Sequence, residues 1–150
     1  MASYWLMKSE PEVYSFADLQ RDKVTGWSQV RNFVARNHMK AMKLGDEAFF
    51  YHSNADPPCI VGTMRVVKEA YPDPTQFEPG DYFEPKATRE KPYWYQVDVG
   101  VGEAFAAPVT REQLKERAEL KGMALWKYGR LSVGPVTAQE WKVICGMGGL

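Results

Sequence analysis

The sequence lacks the features that would indicate several common classes of protein. Its two cysteines, Cys59 and Cys145, have no metal-ligand spacing and fit a reduced compartment. No window approaches the roughly 18 apolar residues of a membrane span. The first stretch, MASYWLMKSEPEVYS, has neither the basic region nor the apolar run of a signal peptide. We therefore expect no membrane partner and a location in the bacterial cytoplasm, or in the nucleus if the source is a eukaryote.

Neither sign of charge is in excess, because 19 Lys and Arg balance 19 Asp and Glu. A neutral chain has no overall attraction to nucleic acid, so charge has to be considered segment by segment. Between Asp22 and Asp46 the sequence has no acidic residue and five basic ones, namely Lys23, Arg31, Arg36, Lys40 and Lys43. That segment is locally basic.

Motifs of common catalytic sites are also missing. The sequence contains no GxSxG, HExxH, P-loop or GxGxxG motif that leads into a helix. Glu10 with Asp98, or Cys59 with His52, could be imagined as acid–base or nucleophile pairs, but no spacing rule brings them together. We expect no catalytic residue, no metal and no cofactor. A small hydrolase or nucleotide-modifying enzyme is the less favoured alternative.

The pattern of apolar residues predicts a mixed fold in one domain of 150 residues. Strands are predicted at YWLMK, DEAFFYHS, CIVGTMRVVKEA and YWYQVDVGVGEAF, and the middle two are antiparallel neighbours joined by NADPP. Helices are predicted after Ser15, over VRNFVARNHMKAMKL up to Gly45, and after Thr110 and Thr137, each of which begins a capping box. Without regular βαβ alternation, these elements predict an α+β domain over residues 1–146. Its sheet is strongly bent, mostly antiparallel and barrel-like, with flanking helices.

Two irregular segments are predicted beside these elements. A stretch rich in Pro, Gly and Asp, from Tyr71 to Pro92, predicts a long loop, and long loops in compact domains are commonly functional or mobile. The Gly-rich end of the chain predicts a flexible tail over residues 147–150.

The stretch TGWSQVRN places Trp27 at a turn ahead of the long predicted helix. An indole face among polar side chains is the composition of a base-binding pocket. The alternative is that Trp27 fills the core.

At roughly 100° per residue, Arg36, Lys40 and Lys43 share one stripe of the long predicted helix. This stripe is either solvated or follows a phosphate backbone. Arg31 and His38 fall on the apolar side, where they need partners.

Several stretches resemble the EVE domain family, namely YWLMKSEP, YSFADL, WSQVRNFVARNHMKAMKLGDEAFFYHSN, IVGTMRVVKEAYPDPTQF, YWYQVDV and GRLSVGPVTAQEW. They follow one another over nearly the whole chain. That family belongs to the PUA-like superfamily, whose bent, barrel-like sheet agrees with the prediction above. It is similar to the YTH domains, which hold N6-methyladenine in an aromatic cage. The resemblance implies non-catalytic reading of a modified base, most often 5-methylcytosine or a relative, in DNA or RNA.

The resemblance also implies where the base binds. The expected pocket residues are Lys8, Ser9 and Glu10 after the first strand, Trp27, Ser28, Val30, Arg31 and Asn32 at the turn, His52, Ser53 and Asn54 after the second strand, and Arg130, Leu131 and Ser132. Arg36, Lys40 and Lys43 are expected to contact phosphates. Family members often have an acidic residue and Gly after the Trp, where this chain has Ser28 and Gln29, so its base preference can differ.

The implied partner is a nucleic acid that carries a modified base, and the protein is taken as a monomer by default. A pocket for a free nucleoside, nucleotide or other small molecule is the main alternative.

Overall fold

The apolar runs of the sequence become the strands of one sheet. In the computed structural model, which describes residues 3–150, the strands are β1 (Tyr4–Ser9), β2 (Val24–Gly26), β3 (Glu47–His52), β4 (Cys59–Pro72), β5 (Tyr95–Thr110) and β6 (Val133–Val136). Within those residues they form a six-stranded sheet in the order β2-β5-β4-β3-β1-β6. Strands β1 and β3 pair in parallel, and the other neighbours are antiparallel. The predicted α+β class with a mostly antiparallel sheet is confirmed.

The sheet is bent as predicted, and it does not close into a complete barrel. Its edge strands are β2 and β6, and they do not pair with each other in the described part of the chain. Register shifts interrupt the pairing of β3 with β4 and, at several points, of β4 with β5. Such irregularities bend strands and increase their twist. Helix α2 (Phe33–Ala41) packs against β5, β4 and β6, and so lies across both halves of the bent sheet.

The other helices are α1 (Phe16–Asp22), α3 (Arg111–Lys115), α4 (Ala124–Lys127) and α5 (Ala138–Met147). The predicted capping boxes at Thr110 and Thr137 are confirmed, and the predicted cap at Ser15 is also a capping box. In each, the hydroxyl accepts from the third helical amide and the third side chain accepts from the cap amide. Edge strands β2 and β6 are missing from the prediction because three or four residues carry too little pattern.

Helix α2 is shorter than the predicted span of residues 30–44. It begins after Asn32, whose backbone is extended and whose side chain accepts a hydrogen bond from the Ala35 amide at 3.0 Å. This side chain satisfies one free amide of the first turn, so the helix starts there and excludes Arg31. At the other end Met42 caps the helix, and Gly45, with φ +86°, lies in the turn before β3. Lys43 is therefore outside α2.

The last residues fold back onto β5. Met147 belongs to α5, one residue beyond the predicted domain boundary. The Gly148 carbonyl accepts from the Ala106 amide at 2.8 Å. A Cβ at Gly148 would lie 2.4 Å from the Phe105 ring, so this close approach requires glycine. The flexibility of residues 147–150 stays a prediction.

The core divides between the two faces of the sheet. Along β1 and β3, Met7 and Phe50 pack in one hydrophobic cluster, and Leu6 and Phe49 pack in the other. This alternation follows from the two-residue period of a strand. Trp27 belongs to the cluster that contains Met7 and Phe50. None of the helices among residues 3–150 is long and apolar enough to cross a bilayer.

Candidate functional site

An open cavity of about 690 Å³ lies where strand ends and loops meet at one end of the sheet. Small-molecule sites have volumes of about 300–1,000 Å³. The lining combines the end of β1, the turn after β2, the loop after β3 and the loop before β6. Of the residues expected from the sequence, it includes Lys8, Ser9, Glu10, Trp27, Ser28, Val30, Arg31, Ser53, Asn54, Arg130 and Ser132. Segments that are far apart in the sequence thus meet around one space.

Three of the expected residues are not in the lining, because their side chains have other partners. Asn32 caps α2. The His52 Nε2 accepts a hydrogen bond from the Phe16 amide at 3.1 Å, at the start of α1. Leu131 packs against the hydrophobic cluster of Met7 and Phe50.

The lining also contains Gln29, which lies within the expected turn, and residues that the sequence-based prediction missed, namely Val13, Tyr14, Thr25, Gly26, Tyr82 and Gly129. Most of them lie beside the predicted segments. Tyr82 is different, because it comes from the long loop between β4 and β5. The loop's length was the one signal in the sequence that marked it as functional.

Trp27 is both a core residue and part of the cavity wall. It is only 8% exposed, and its ring meets that of Phe50 edge-on, with centroids 5.3 Å apart and planes at 82°. Its amide donates to the Val97 carbonyl at 2.8 Å, which fixes the backbone beside β5. The small exposed part of its surface borders the cavity. The two interpretations of Trp27 left open by the sequence are therefore compatible.

The turn after Trp27 is held by a buried carboxylate. Asp73 is 0% exposed, and its Oδ2 accepts from the Gln29 amide at 2.6 Å and from Arg31 at 3.2 Å. Its Oδ1 accepts from the amide and the hydroxyl of Thr75. The Gln29 backbone has φ +68°, a conformation that L-residues rarely adopt. Asp73 thereby fixes an unusual turn at the cavity wall.

Arg31 joins this turn to the long loop. Besides its ion pair with Asp73, its Nη2 donates to the Thr75 hydroxyl and to the Tyr82 carbonyl, each at 2.9 Å. The guanidinium carbon lies 5.4 Å from the ring centroids of both Tyr82 and Trp94. The partner predicted for Arg31 is thus a carboxylate. Its Nε is buried without an acceptor among residues 3–150.

The opposite side of the cavity is held by polar contacts at the end of β1. The Lys8 ammonium donates to the Gly129 carbonyl at 2.9 Å, which ties the loop before β6 to β1. The Asn54 amide donates to Glu10 Oε1 at 2.7 Å. Burial, together with the nearby Arg111 charge, lowers the pKa of Lys8. The lining contains three basic side chains, those of Lys8, Arg31 and the exposed Arg130, and one acidic side chain, that of Glu10.

The predicted cationic stripe on α2 is only partly present. Arg36 lies over the Phe33 ring, at 4.7 Å from its centroid, and donates to the Tyr93 carbonyl at 2.9 Å. Lys40 lies 4.6 Å from the centroid of Tyr95. Lys43 is exposed but follows the helix, so it does not share the stripe. His38, for which a hydrogen-bonding partner was expected, lies against the Trp5 ring with centroids 5.7 Å apart.

The imagined catalytic pairs do not have the chemistry they would need. His52 and Cys59 are opposite each other across β3 and β4. However, burial raises the pKa of the Cys59 thiol, and the His52 lone pair at Nε2 is occupied by the Phe16 amide. Glu10 binds Asn54, whereas Asp98 accepts from the Tyr71 hydroxyl. Across the described ranges, no group of three or more His, Cys, Asp or Glu side chains could hold a metal ion.

The fold and the cavity together define a small α+β domain in which loops and strand ends surround a polar and aromatic cavity. The chain belongs to the EVE domain family, whose family model matches residues 3–147. Thymocyte nuclear protein 1 from Rattus norvegicus is 43% identical to it over 96% of this chain and 73% of that protein.

Solved structures agree with this assignment. Human THYN1 in complex with 5-methylcytosine-containing DNA has a TM-score of 0.94 and 40% identity, and the match covers 99% of each chain. A hypothetical protein from Leishmania major has a TM-score of 0.95 and 45% identity, and the match covers 99% of this chain and 95% of that one.

Replacing Asp73 with Ala should lower the free energy of unfolding by about 3–5 kcal/mol, because it leaves a largely buried guanidinium without its counter-charge. Asp81→Ala, at an exposed position of the same loop, should change that free energy by no more than about 0.5 kcal/mol. Urea unfolding of both variants measures the difference. Equal effects of the two substitutions would show that the contacts of Asp73 with Arg31 and the Gln29 amide add nothing to stability.

Acid should destabilise the fold through the two histidines. Burial lowers the pKa of both His52 and His38 below the ordinary value of 6.5. As the pH falls below 6.5, the unfolded chain takes up protons that the folded histidines do not, so stability decreases. Well above pH 6.5 both states are neutral at these positions and the histidine contribution is constant.

Urea unfolding at a series of pH values tests this linkage. His52→Gln keeps an acceptor for the Phe16 amide. Between pH 6.5 and the range where carboxylates titrate, its free energy of unfolding should decrease less steeply than that of the unchanged protein, because only the His38 contribution remains. An unfolding free energy that rises on acidification through this range would contradict the assignment.

Proposed function

We propose that this chain binds a modified cytosine, 5-methylcytosine or a close relative, in a nucleic acid, without catalysing a reaction. The base would occupy the cavity beside Trp27. The proposal is carried by this cavity, which is lined by Trp27 and by the basic side chains of Lys8, Arg31 and Arg130. It is supported by the similarity of the chain to human THYN1, which is solved in complex with 5-methylcytosine-containing DNA. DNA is the favoured polymer for the same reason, and RNA is the second arm of the test.

A base within a duplex could not reach such a recessed wall, so the modified nucleotide would have to leave the stack. Extrusion costs a few kcal/mol and is least costly in single strands. Stacking on an aromatic side chain returns about 1–3 kcal/mol per base. Because Trp27 is held edge-on by Phe50, its ring is already oriented before the base arrives.

Selectivity for the modified base would need more than its methyl group. One buried methyl contributes about 0.8 kcal/mol, which is about fourfold in affinity. A carboxylate can accept from the cytosine N4 amine. Glu10 is proposed for this role because, among residues 3–150, only its Oε1 accepts a hydrogen bond, from Asn54. Asn32 does not line the cavity, and its Oδ1 accepts from the Ala35 amide, so it is not proposed to pair with the base edge.

Affinity would come mainly from cations outside the cavity lining. Arg36, Lys40 and Lys43 are proposed to contact backbone phosphates, which positions the strand without reading its sequence. If the true ligand is a free nucleoside or nucleotide, replacing these three residues with Ala should leave affinity unchanged. A polymer ligand should instead lose affinity and part of its salt dependence.

The test is a titration of labelled single-stranded oligonucleotides that differ only in cytosine or 5-methylcytosine, made of DNA and of RNA. Trp27→Phe should weaken binding of the modified oligonucleotide by about tenfold, because a smaller ring stacks less well. Trp141→Phe is the matched control, because Trp141 is 9% exposed and lies in the other hydrophobic cluster. The control should bind as the unchanged protein does.

Equal losses in the two Trp variants would show that the effect is on stability and not on the cavity. Turnover of a modified nucleoside by the purified protein would contradict the non-catalytic assignment. Absence of binding to every oligonucleotide at low salt would end the polymer hypothesis.

A further inference from the structure

Two cations on α3 lie over the same aromatic ring. Arg111 and Lys115 are four residues apart, and their charged ends lie 5.8 and 5.5 Å from the ring centroid of Trp126. Like charges at this spacing repel each other. Neither forms an ion pair within residues 3–150, whereas the neighbouring Arg117 pairs with Glu119. The pair therefore lacks a counter-charge.

A third cation faces the same region. Lys8 lies 5.7 Å from the ring centroid of Tyr51, and the Arg111 charge lowers the pKa of Lys8 in addition to the effect of burial. The Arg111 charge acts on Tyr51 as well, where it opposes the larger effect of burial, which raises the pKa of the phenol. Lys8, Arg111 and Lys115 thus form one group, named here the α3 cation cluster.

The α3 cation cluster adjoins the cavity. Lys8 is itself part of the cavity lining. The Arg111 amide donates to the Pro58 carbonyl at 2.9 Å, in the loop that also carries Ser53 and Asn54. Trp126 shortly precedes the lining segment that begins at Gly129. The cluster is therefore on the side of the β3–β4 loop, whereas Trp27 and Arg31 form another side of the cavity.

We propose that the α3 cation cluster binds a phosphodiester group of the nucleic-acid strand whose modified base occupies the cavity. A phosphate supplies the missing negative charge, and the Arg111 guanidinium can bind two of its oxygens. Lys115 and Lys8 add further positive charge. This inference rests on the proposed function and extends it, since the strand would be held both here and beside α2, with the base between the two contacts.

The experiment compares two double variants. Arg111→Gln with Lys115→Gln removes two charges of the cluster while keeping polar stems that can pack on Trp126. Arg65→Gln with Lys142→Gln is the matched control, because both side chains are exposed. Arg65 lies opposite Glu47 where β4 pairs with β3, at the end of the sheet opposite the cavity. Lys142 is on α5.

The measurements are the affinity for a 5-methylcytosine oligonucleotide at several salt concentrations, and the affinities for free 5-methyldeoxycytidine and its 5′-monophosphate. The cluster variant should bind the oligonucleotide more weakly, with the slope of log K against log salt reduced by about 1, as expected for one lost phosphate contact. Its affinity for the nucleoside should be unchanged. The control variant should keep the full slope.

Three outcomes would overturn the inference. An unchanged slope, with Trp27-dependent binding retained, would reject the cluster and leave the proposed function intact. A loss confined to the 5′-monophosphate would assign the cluster to a mononucleotide and not to a strand. If the unchanged protein binds no modified oligonucleotide, the proposed function fails and this inference fails with it.

Discussion

The shape of the cavity depends on the buried carboxylate of Asp73. This side chain lies 44 positions beyond Gln29, yet it accepts from the Gln29 amide and pairs with Arg31. A non-glycine residue with positive φ costs about 1–3 kcal/mol, and such strain persists only where neighbouring groups compensate for it. Because both ends of the Trp27–Arg31 turn are fixed, to β5 and to Asp73, the aromatic wall is preorganised. Preorganisation reduces the entropy that binding would otherwise cost.

The proposed roles of the residues around this wall follow from the chemistry of nucleic acids. Phosphates attract any cationic surface, so Arg36, Lys40 and the α3 cation cluster would provide affinity and position the strand. Only groups inside the cavity can distinguish one base from another. Glu10 is suited to that role because Asn54 orients its carboxylate while one oxygen stays free. Trp27 would contribute contact area, and its burial makes it equally important for the core.

Local features of the structure could be predicted from the sequence, whereas long-range ones could not. The capping boxes at Ser15, Thr110 and Thr137 depend on residues within one turn, and the long strands follow from their apolar pattern. Much of the cavity lining followed from the family resemblance. Asp73 and Tyr82 were missed because their roles depend on how a long loop meets a distant turn. His52 was expected in the pocket from the family resemblance, but its lone pair is directed to the start of α1.

If a methylated base enters the cavity and contacts Trp27, a nuclear Overhauser experiment detects that contact. An oligonucleotide whose single 5-methylcytosine carries a ¹³C-labelled methyl group would be bound to the protein. We expect cross-peaks from that methyl to the Trp27 indole protons and a ring-current shift of its resonance. A bound complex with an unshifted methyl and contacts only to other residues would contradict this expectation.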